Sequence, residues 1–251
     1  LMRRWHSFLT MQKFVSKRLK KIIVPSKSSI EDIKEEFEVS KKKMVRIMNG
    51  IDLELFYPDS SVPKVPKKIV TVASADVPLK GLDYLLKALK EVKKKYPEVS
   101  LSIIGERKKG GHTERLIKKM NLEKQINFFS NLSQSELRKT YCEAELAVIP
   151  SLYEGFGFAA VEAMACGIPL ISTSGGALPE VIKDTGIIIE PKSSKDIYNS
   201  ILEFFSSPDL AKQYSEKALK RVNAKFSWKV IAKKYEELYL KEIEIYKNAN
   251  N

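Results

Sequence analysis

From residue 69 onward, short apolar runs rich in Val, Ile and Leu alternate with longer segments in which apolar residues recur at helical spacing. This pattern predicts strands and helices in alternation, joined by short links. The predicted strands are residues 69–73, 99–104, 126–129, 146–149, 170–173 and 186–189. The predicted helices are residues 82–96, 113–120, 133–144, 158–166, 178–182 and 194–206. Uniformly apolar strands suit a sheet that is covered on both faces, so we expect an α/β domain with a Rossmann-like, doubly wound parallel sheet.

The pattern is less regular at the two ends of the chain. Apolar and basic residues on opposite sides of residues 4–20 predict a basic amphipathic helix. Further expectations are strands at residues 21–25 and 44–48, capping boxes at residues 29–32 and 133–136, a surface loop or linker at residues 57–68, and tail helices at residues 210–224 and 228–246.

One stretch, residues 150–167, joins a predicted strand to a predicted helix through the sequence PSLYEGFGFAAVEAMACG. The N–H groups of Gly155 and Gly157 can approach a ligand closely there, and the first helical turn adds unpaired donors and the positive end of the helix dipole. These features predict an anion site beyond the carboxyl end of a strand, where doubly wound sheets bind ligands. Two carboxylates flank it. Glu162 has apolar neighbours on both sides, so it needs a polar partner, whereas Glu154 lies in the turn.

Composition narrows the class of protein. Lys and Arg outnumber Asp and Glu by 44 to 31, for a net charge of +13, and the excess is concentrated before Glu31. Such a charge suits nucleic acid, an anionic membrane surface or a phosphorylated substrate. Two cysteines and two distant histidines form neither a disulfide framework nor a metal-ligand cluster by spacing. We therefore expect a cytoplasmic protein without a metal.

The stretch at residues 150–167 continues to residue 169 and so ends in EAMACGIP, and it occurs together with two further motifs, SGGALPEV and NGID. With them, nearly the whole chain resembles the family 4 retaining glycosyltransferases of the GT-B fold, also called glycosyl transferases group 1. The resemblance implies metal-independent transfer of a hexose from a nucleoside diphosphate sugar, a UDP- or GDP-sugar, to a sugar or lipid-linked acceptor, with retention. It implies no cofactor, because the nucleotide sugar is the donor substrate.

The resemblance also implies roles for individual residues. Glu154 would hold hydroxyls of the donor sugar, Lys80 would contact the diphosphate, and Glu162 would accept hydrogen bonds from the ribose hydroxyls. These roles are chemically reasonable, because a carboxylate accepts two hydroxyl donors and a cation stabilises a departing diphosphate. The remaining donor-binding positions are the backbone of Gly155, Phe156, Gly157 and Phe158 beside sugar and phosphate, and the loop at Asn131 and Leu132 beside the nucleobase.

The chain departs from the family pattern in two ways. Ser74 and Ala75 stand where members have a Gly-Arg pair, so Arg107 or Lys108 would have to supply the second phosphate cation. The second departure is in the domains. We expect residues 1–50 to be the end of a mostly missing N-terminal acceptor domain, residues 51–225 to be the C-terminal nucleotide-sugar-binding domain, and residues 226–251 to be a C-terminal helix that packs back towards the N-terminal domain.

Several alternatives stay open at this point. The missing domain motivates a non-catalytic nucleotide-sugar-binding subunit or truncated remnant, completed or not by a partner chain. A nucleotide-sugar epimerase is a second alternative. Nucleic-acid binding rests on charge alone, and no aromatic-basic recognition motif supports it. The basic helix around Trp5 adds the hypothesis of peripheral contact with the cytoplasmic face of a membrane, where lipid-linked acceptors reside.

Overall fold

The structure is a computed structural model that describes residues 2–250; of residues 2–8 and of residue 250 it describes the backbone only. The helices are α1 (Met2–Arg18), α2 (Lys27–Phe37), α3 (Leu82–Lys95), α4 (His112–Lys119), α5 (Gln134–Cys142), α6 (Phe158–Ala165), α7 (Leu178–Ile182), α8 (Ser194–Ser206), α9 (Pro208–Lys225) and α10 (Trp228–Asn250). The strands are β1 (Ile22–Val24), β2 (Met44–Arg46), β3 (Lys68–Val72), β4 (Ser100–Ile104), β5 (Ile126–Phe129), β6 (Leu146–Ile149), β7 (Leu170–Thr173) and β8 (Ile187–Ile189).

The main sheet is parallel throughout and has the strand order β5-β4-β3-β6-β7-β8. The chain moves outward from β3 to β5, then returns to the other side of β3 and moves outward again from β6 to β8. The predicted doubly wound sheet is therefore confirmed. The order reverses between β3 and β6, and the helices that follow these two strands, α3 and α6, lie on opposite faces of the sheet. We call the space beyond their carboxyl ends the switch crevice; it is where such sheets bind ligands.

The core lies in two layers, one on each face of the sheet, and strand β6 divides its side chains between them. Leu146 and Val148 pack in the layer that contains α3 and α8, whereas Ala147 and Ile149 pack in the layer that contains α6 and α9. This alternation follows from the period of two along a strand. All four side chains are buried, which explains why the strand is apolar without interruption.

The predicted strands and helices of the main domain agree with the structure to within about two residues at each end, the expected uncertainty of such boundaries. The capping box predicted at residues 133–136 is confirmed. The one predicted at residues 29–32 is wrong. Helix α2 begins three residues earlier, at Lys27, because Ser26 is its N-cap and accepts a hydrogen bond from Ser29 N at 3.1 Å. Ser29 therefore lies inside the helix, and its hydroxyl is available for a tertiary contact.

Residues 22–46 form a small unit in which β1 and β2 pair in parallel. The chain that leaves this unit meets the main domain at residues 50 and 51. Ile51 N donates to Phe226 O at 2.7 Å, and Gly50 lies against the Trp228 ring. Helix α10 starts at this junction, and Glu242 near its end lies 3.4 Å from Lys21 Nζ. The division into domains at residues 50 and 225 stays a prediction. Along the part of the chain that the structure describes, every helix is too short or too polar to cross a bilayer.

The walls of the switch crevice approach each other at Gly81, the N-cap of α3. Its φ is +65°, and a Cβ at this position would lie 1.9 Å from Pro150 O, at the end of β6. Only glycine allows both the left-handed conformation and this contact. The contact seats the loop after β3, residues 73–81, against the loop after β6, residues 150–157.

This close approach predicts a large effect of Gly81→Ala, about 3–5 kcal/mol of lost stability, because the added methyl would force apart the backbone beside β3 and β6. Gly110→Ala is the matched control, since Gly110 has a φ of +70° but no atom within 4 Å of its hypothetical Cβ. It should cost only the left-handed strain, about 1–2 kcal/mol. Chemical denaturation of both variants measures the difference, and equal losses would contradict the importance of the Pro150 contact.

Candidate functional site

The two loops of the switch crevice bring Lys80 and Glu154 together. Lys80 Nζ lies 2.7 Å from Glu154 Oε1, and Ser151 Oγ donates to the same oxygen at 2.8 Å. Between the two loops, Leu152 N donates to Leu79 O at 2.8 Å. Lys80 follows β3 and Glu154 follows β6, so their contact is a direct result of the strand order. Sequence motifs pointed to both residues separately but did not predict this ion pair.

The main chain of Glu154 is also held from the loop after β7. Ala177 N donates to Glu154 O at 2.8 Å, and Gly176, with a φ of +65°, lies so close that a Cβ there would be 2.3 Å from that oxygen. The side chain of Glu154 is 16% exposed and that of Lys80 is 34% exposed. Within the described residues, Glu154 Oε2 accepts no hydrogen bond. One face of the carboxylate is therefore free to accept hydrogen bonds from a ligand.

A row of main-chain donors follows Glu154. Across the described part of the chain, the N–H groups of residues 155–159 donate to no protein acceptor. They lie at the start of α6, where the positive end of the helix dipole adds to their attraction for an anion. Gly157 turns the chain into the helix with a φ of +98°. Of the two aromatic residues beside it, Phe156 is buried in the core and Phe158 is 50% exposed at the crevice.

Glu162 lies five residues beyond Gly157, about 7.5 Å along the axis of α6. Its Oε2 accepts a hydrogen bond from the hydroxyl of Tyr141 in α5, at 2.7 Å. The prediction that this carboxylate needs a polar partner is thus confirmed. Burial raises the pKa of Glu162 above its ordinary value, and the Tyr141 hydrogen bond opposes that rise. Its other oxygen, Oε1, accepts no hydrogen bond from any described residue and is free for a ligand hydroxyl.

The loop of Asn131 and Leu132 lies farther away. It follows β5, which is three strands from β6 across the sheet, roughly 14 Å at normal strand spacing. Asn131 has a φ of +55° and is exposed, and Leu132 is half-buried. A ligand that contacted both this loop and Glu154 would have to span a distance of this order. No hydrogen bond joins the loop to Lys80, Glu154 or Glu162 within the described chain.

Neither candidate for the second phosphate cation contacts this cluster. Arg107 donates to Glu114, and Lys108 Nζ lies 3.5 Å from Asp76. Both cations are exposed, so solvent screens these ion pairs. The suggestion that one of them replaces the family arginine stays a prediction.

The N-terminal helix gives limited support to membrane contact. Lys13 and Lys17 both pair with Glu38, so two of its cations are already partnered within the protein. Trp5 and His6, whose side chains lie outside the described residues, add no structural information. The membrane hypothesis stays a prediction. Among the described residues, no group of three or more His, Cys, Asp or Glu side chains is placed to hold a metal ion.

Three groups that contact the candidate site residues were not predicted from the sequence. Tyr141 holds Glu162, Ser151 holds Glu154, and helix α2 contacts the residues on either side of Glu154. Tyr141 precedes Glu162 by 21 positions and belongs to another helix. A tyrosine in an amphipathic helix carries no local signal for such a contact. Only Ser151, three residues before Glu154, lay close enough in sequence to be considered.

Known proteins with a similar sequence or structure share this architecture. The model of the family described as glycosyl transferases group 1 matches residues 56–221. Among curated proteins, the chain is 34% identical over 246 residues to an MMP alpha-(1->4)-mannosyltransferase of Mycolicibacterium hassiacum. The alignment covers 97% of this chain and 59% of the relative. The chain thus spans about three fifths of the length of that protein.

Two solved structures agree in fold. Sucrose-phosphate synthase from Thermosynechococcus elongatus has a TM-score of 0.83 at 25% identity, over 96% of this chain and 62% of that one. The C-terminal domain of a glycosyl transferase group 1 family protein from Francisella tularensis has a TM-score of 0.62 at 29% identity, over 71% of this chain and all of that domain, 100%. The main sheet therefore has the architecture of such a C-terminal domain.

The raised pKa of Glu162 leads to a prediction about stability and pH. A carboxyl whose folded pKa lies above its unfolded value stabilises the fold at low pH, and this contribution is lost as the pH rises through the folded pKa. Glu162→Gln cannot ionise but keeps an oxygen to accept from Tyr141. It should match the wild type at about pH 3, where the carboxyl is protonated in both the folded and the unfolded state, and be more stable at pH 7, by about 1.4 kcal/mol for each unit by which the pKa is raised.

Unfolding free energies measured across this pH range provide the check. The exposed Glu98→Gln is the control, because it removes the same charge without relieving burial. A difference for Glu162→Gln that stays constant with pH would show that burial does not disfavour the ionised carboxylate.

Proposed function

Because this chain belongs to the glycosyl transferases group 1 family and has the fold of the C-terminal half of a GT-B protein, we propose that it carries the donor site of a retaining glycosyltransferase. The reaction would transfer a hexose from a nucleoside diphosphate sugar to a sugar or lipid-linked acceptor. The observation that carries the proposal is the juxtaposition, in the switch crevice, of free N–H groups at the start of α6 with Lys80 and Glu154.

The diphosphate would bind at the start of α6. The N–H groups of residues 155–159 point to an anion there, and Lys80 supplies a positive charge from the opposite loop. Negative charge grows on the diphosphate as the bond to the sugar breaks. Fixed donors and a cation that are already in place stabilise that charge without having to reorganise.

The two carboxylates would take different hydroxyl groups of the donor. Glu154 Oε1 is occupied by Lys80 and Ser151, which leaves Oε2 for hydroxyls of the sugar. Glu162 would use Oε1 for the ribose, while Tyr141 keeps the carboxylate oriented through Oε2. The nucleobase would reach towards Leu132 at the far end of the crevice. In this arrangement Lys80 would contact both the departing diphosphate and Glu154, the carboxylate that holds the sugar.

The similarity to a mannosyltransferase supports hexosyl transfer. Because this chain spans 59% of the length of that relative, the proposed acceptor refers to the whole protein and not to this chain alone. A lipid-linked acceptor would agree with a peripheral position at the cytoplasmic face of a membrane.

A transfer assay with radiolabelled nucleotide sugars separates this proposal from its alternatives. Transfer of label to a sugar or lipid acceptor supports it. Binding of the donor without transfer, in the presence of candidate partner chains, would instead indicate a nucleotide-sugar-binding subunit. Conversion of the free donor to its epimer would indicate an epimerase.

Substitution of the two glutamates should have different effects. We expect Glu162→Ala to weaken binding of a nucleoside diphosphate by about tenfold to a hundredfold, because a charged acceptor for ribose hydroxyls is lost. Glu154→Ala should lower the transfer rate more than nucleotide affinity, since it contacts the sugar. Titration calorimetry and initial rates distinguish the two, with Glu98→Ala as the control. Unchanged nucleotide affinity in Glu162→Ala would rule out the ribose assignment.

Lys80→Ala should lower both diphosphate affinity and transfer rate, and the loss in rate should be the larger, on the order of a hundredfold, because charge on the diphosphate increases in the transition state. Lys90→Ala on helix α3 makes the same change in net charge at an exposed position away from the crevice. Steady-state kinetics at one ionic strength compares them. Equal effects of the two substitutions would indicate that Lys80 acts only through overall charge.

A further inference from the structure

Helix α2 contacts the loop after β6 on both sides of Glu154. Tyr153, which precedes Glu154, donates its hydroxyl to Asp32 Oδ2. Gly155, which follows it, accepts a hydrogen bond at its carbonyl from Ser29 Oγ, at 3.2 Å. Ser29 and Asp32 are three residues apart, so they lie on the same face of α2. A single helical face therefore holds the two residues that flank the proposed sugar-binding carboxylate.

The hydroxyl of Ser29 is itself oriented. Ser26, the N-cap of α2, donates from its Oγ to Ser29 Oγ at 2.8 Å, which leaves the Ser29 proton directed at Gly155. Ser26 is fully buried. Burial and the neighbouring Asp32 carboxylate raise the pKa of Tyr153, and the hydroxyls of Ser29 and Ser28 act in the opposite direction. A tyrosine hydroxyl is protonated at neutral pH in any case, so Tyr153 is the donor to Asp32. Each hydrogen bond thus has a defined donor and a defined direction.

A second group of contacts attaches the same unit to the loop after β7. Glu180 in α7 accepts from Lys27 N at 2.6 Å, and its other oxygen pairs with Arg46 Nη1 at 2.7 Å. Helix α7 begins just after Ala177, whose N–H holds the carbonyl of Glu154. The carbonyls of Glu154 and Gly155 and the side chain of Tyr153 are therefore all fixed by groups outside the loop.

We propose that Ser29 and Asp32 are positioning residues for the donor sugar: they hold Tyr153 and Gly155 so that the Glu154 carboxylate between them faces the sugar. This inference rests on the proposed function, because it assigns to Glu154 a contact with the sugar. Neither residue touches the donor. Their effect is on the orientation of a group that does. The loss in affinity should therefore be larger for the nucleotide sugar than for the free diphosphate, because Lys80 and Glu162 hold the diphosphate and ribose from other elements, whereas the sugar depends on Glu154.

The test compares the full chain with four variants, Ser29→Ala, Asp32→Ala, Asp32→Asn and Tyr153→Phe. Calorimetry measures affinity for UDP and UDP-glucose, and for GDP and GDP-mannose, so that the gain in affinity due to the sugar is obtained as a ratio. Ser29→Ala, Asp32→Ala and Tyr153→Phe should each reduce that ratio about fivefold to tenfold, as expected when hydrogen bonds that orient a contact group are lost. Asp32→Asn, which keeps an acceptor for Tyr153, should restore most of it.

Controls separate this effect from a loss of folding. Glu36→Ala removes a carboxylate from an exposed position of the same helix and should change neither affinity. Tyr153→Phe breaks the contact without altering α2, so it tests the proposal even if Asp32→Ala weakens the helix. Parallel losses for the diphosphate and its sugar conjugate would indicate a general structural role and overturn the proposal, as would a ratio that does not change in Tyr153→Phe.

Hydrogen exchange of the unliganded protein gives an independent result. Amides of residues 152–157 should exchange faster in Asp32→Ala and Tyr153→Phe than in the wild type, while those of α3 should not change. Equal exchange in the loop would overturn the positioning role whatever the ligand. If the wild type binds none of the four compounds, the proposed donor site is wrong. If the wild type gains affinity from the sugar and the variants keep this gain, only the proposed role of α2 is wrong.

Discussion

The site depends on how closely the chain can approach itself where the strand order reverses. Parallel strands β3 and β6 are adjacent, and the loops that leave them must pass each other within a few ångströms. The left-handed Gly81, seated against Pro150 O, makes that passage possible. Lys80 and Glu154 then come within 2.7 Å although 74 positions separate them. The contact thus brings the loop that carries Lys80 against the loop that carries Glu154.

The electrostatics of the crevice follow from partial burial. Lys80 is partly exposed, so solvent screens its pairing with the less exposed Glu154. Glu162 is different because it is embedded in an apolar helix and has one hydrogen-bond donor. Burial disfavours its charge, and the protein retains this unfavourable group at the edge of the switch crevice. Perturbed groups of this kind concentrate at functional sites.

The small unit formed by residues 22–46 contacts the loop that carries Glu154. Its small parallel sheet has only a modest core around Val24, Val39 and Met44. Its contacts with the main domain are polar and are directed at the loops after β6 and β7. The strength of a hydrogen bond depends on the distance and angle between its donor and acceptor. A small change in the position of α2 would therefore be transmitted to the loop that carries Glu154.

Local pattern determined most of the secondary structure and the order of elements. Period-two and period-3.6 repetition identified the strands and helices of the main domain, since each depends on neighbours in sequence. The motif around Glu154 and Glu162 likewise located the candidate site, and the resemblance suggested Lys80 and Leu132. One helix start was misplaced, because Ser26 and Ser29 are both good caps and only the path of the strand before them decides between the two.

Tertiary structure alone decided which of these residues meet. The Lys80–Glu154 pair, the Tyr141–Glu162 hydrogen bond and the contacts of Ser29 and Asp32 with the loop join residues 21 to 126 positions apart. No local rule relates such positions, because they are brought together by strand order and by helix packing across the whole domain. The sequence by itself determined the elements and the chemical groups at their ends. The fold determined their distances, and hence which carboxylate oxygens remain free for a ligand.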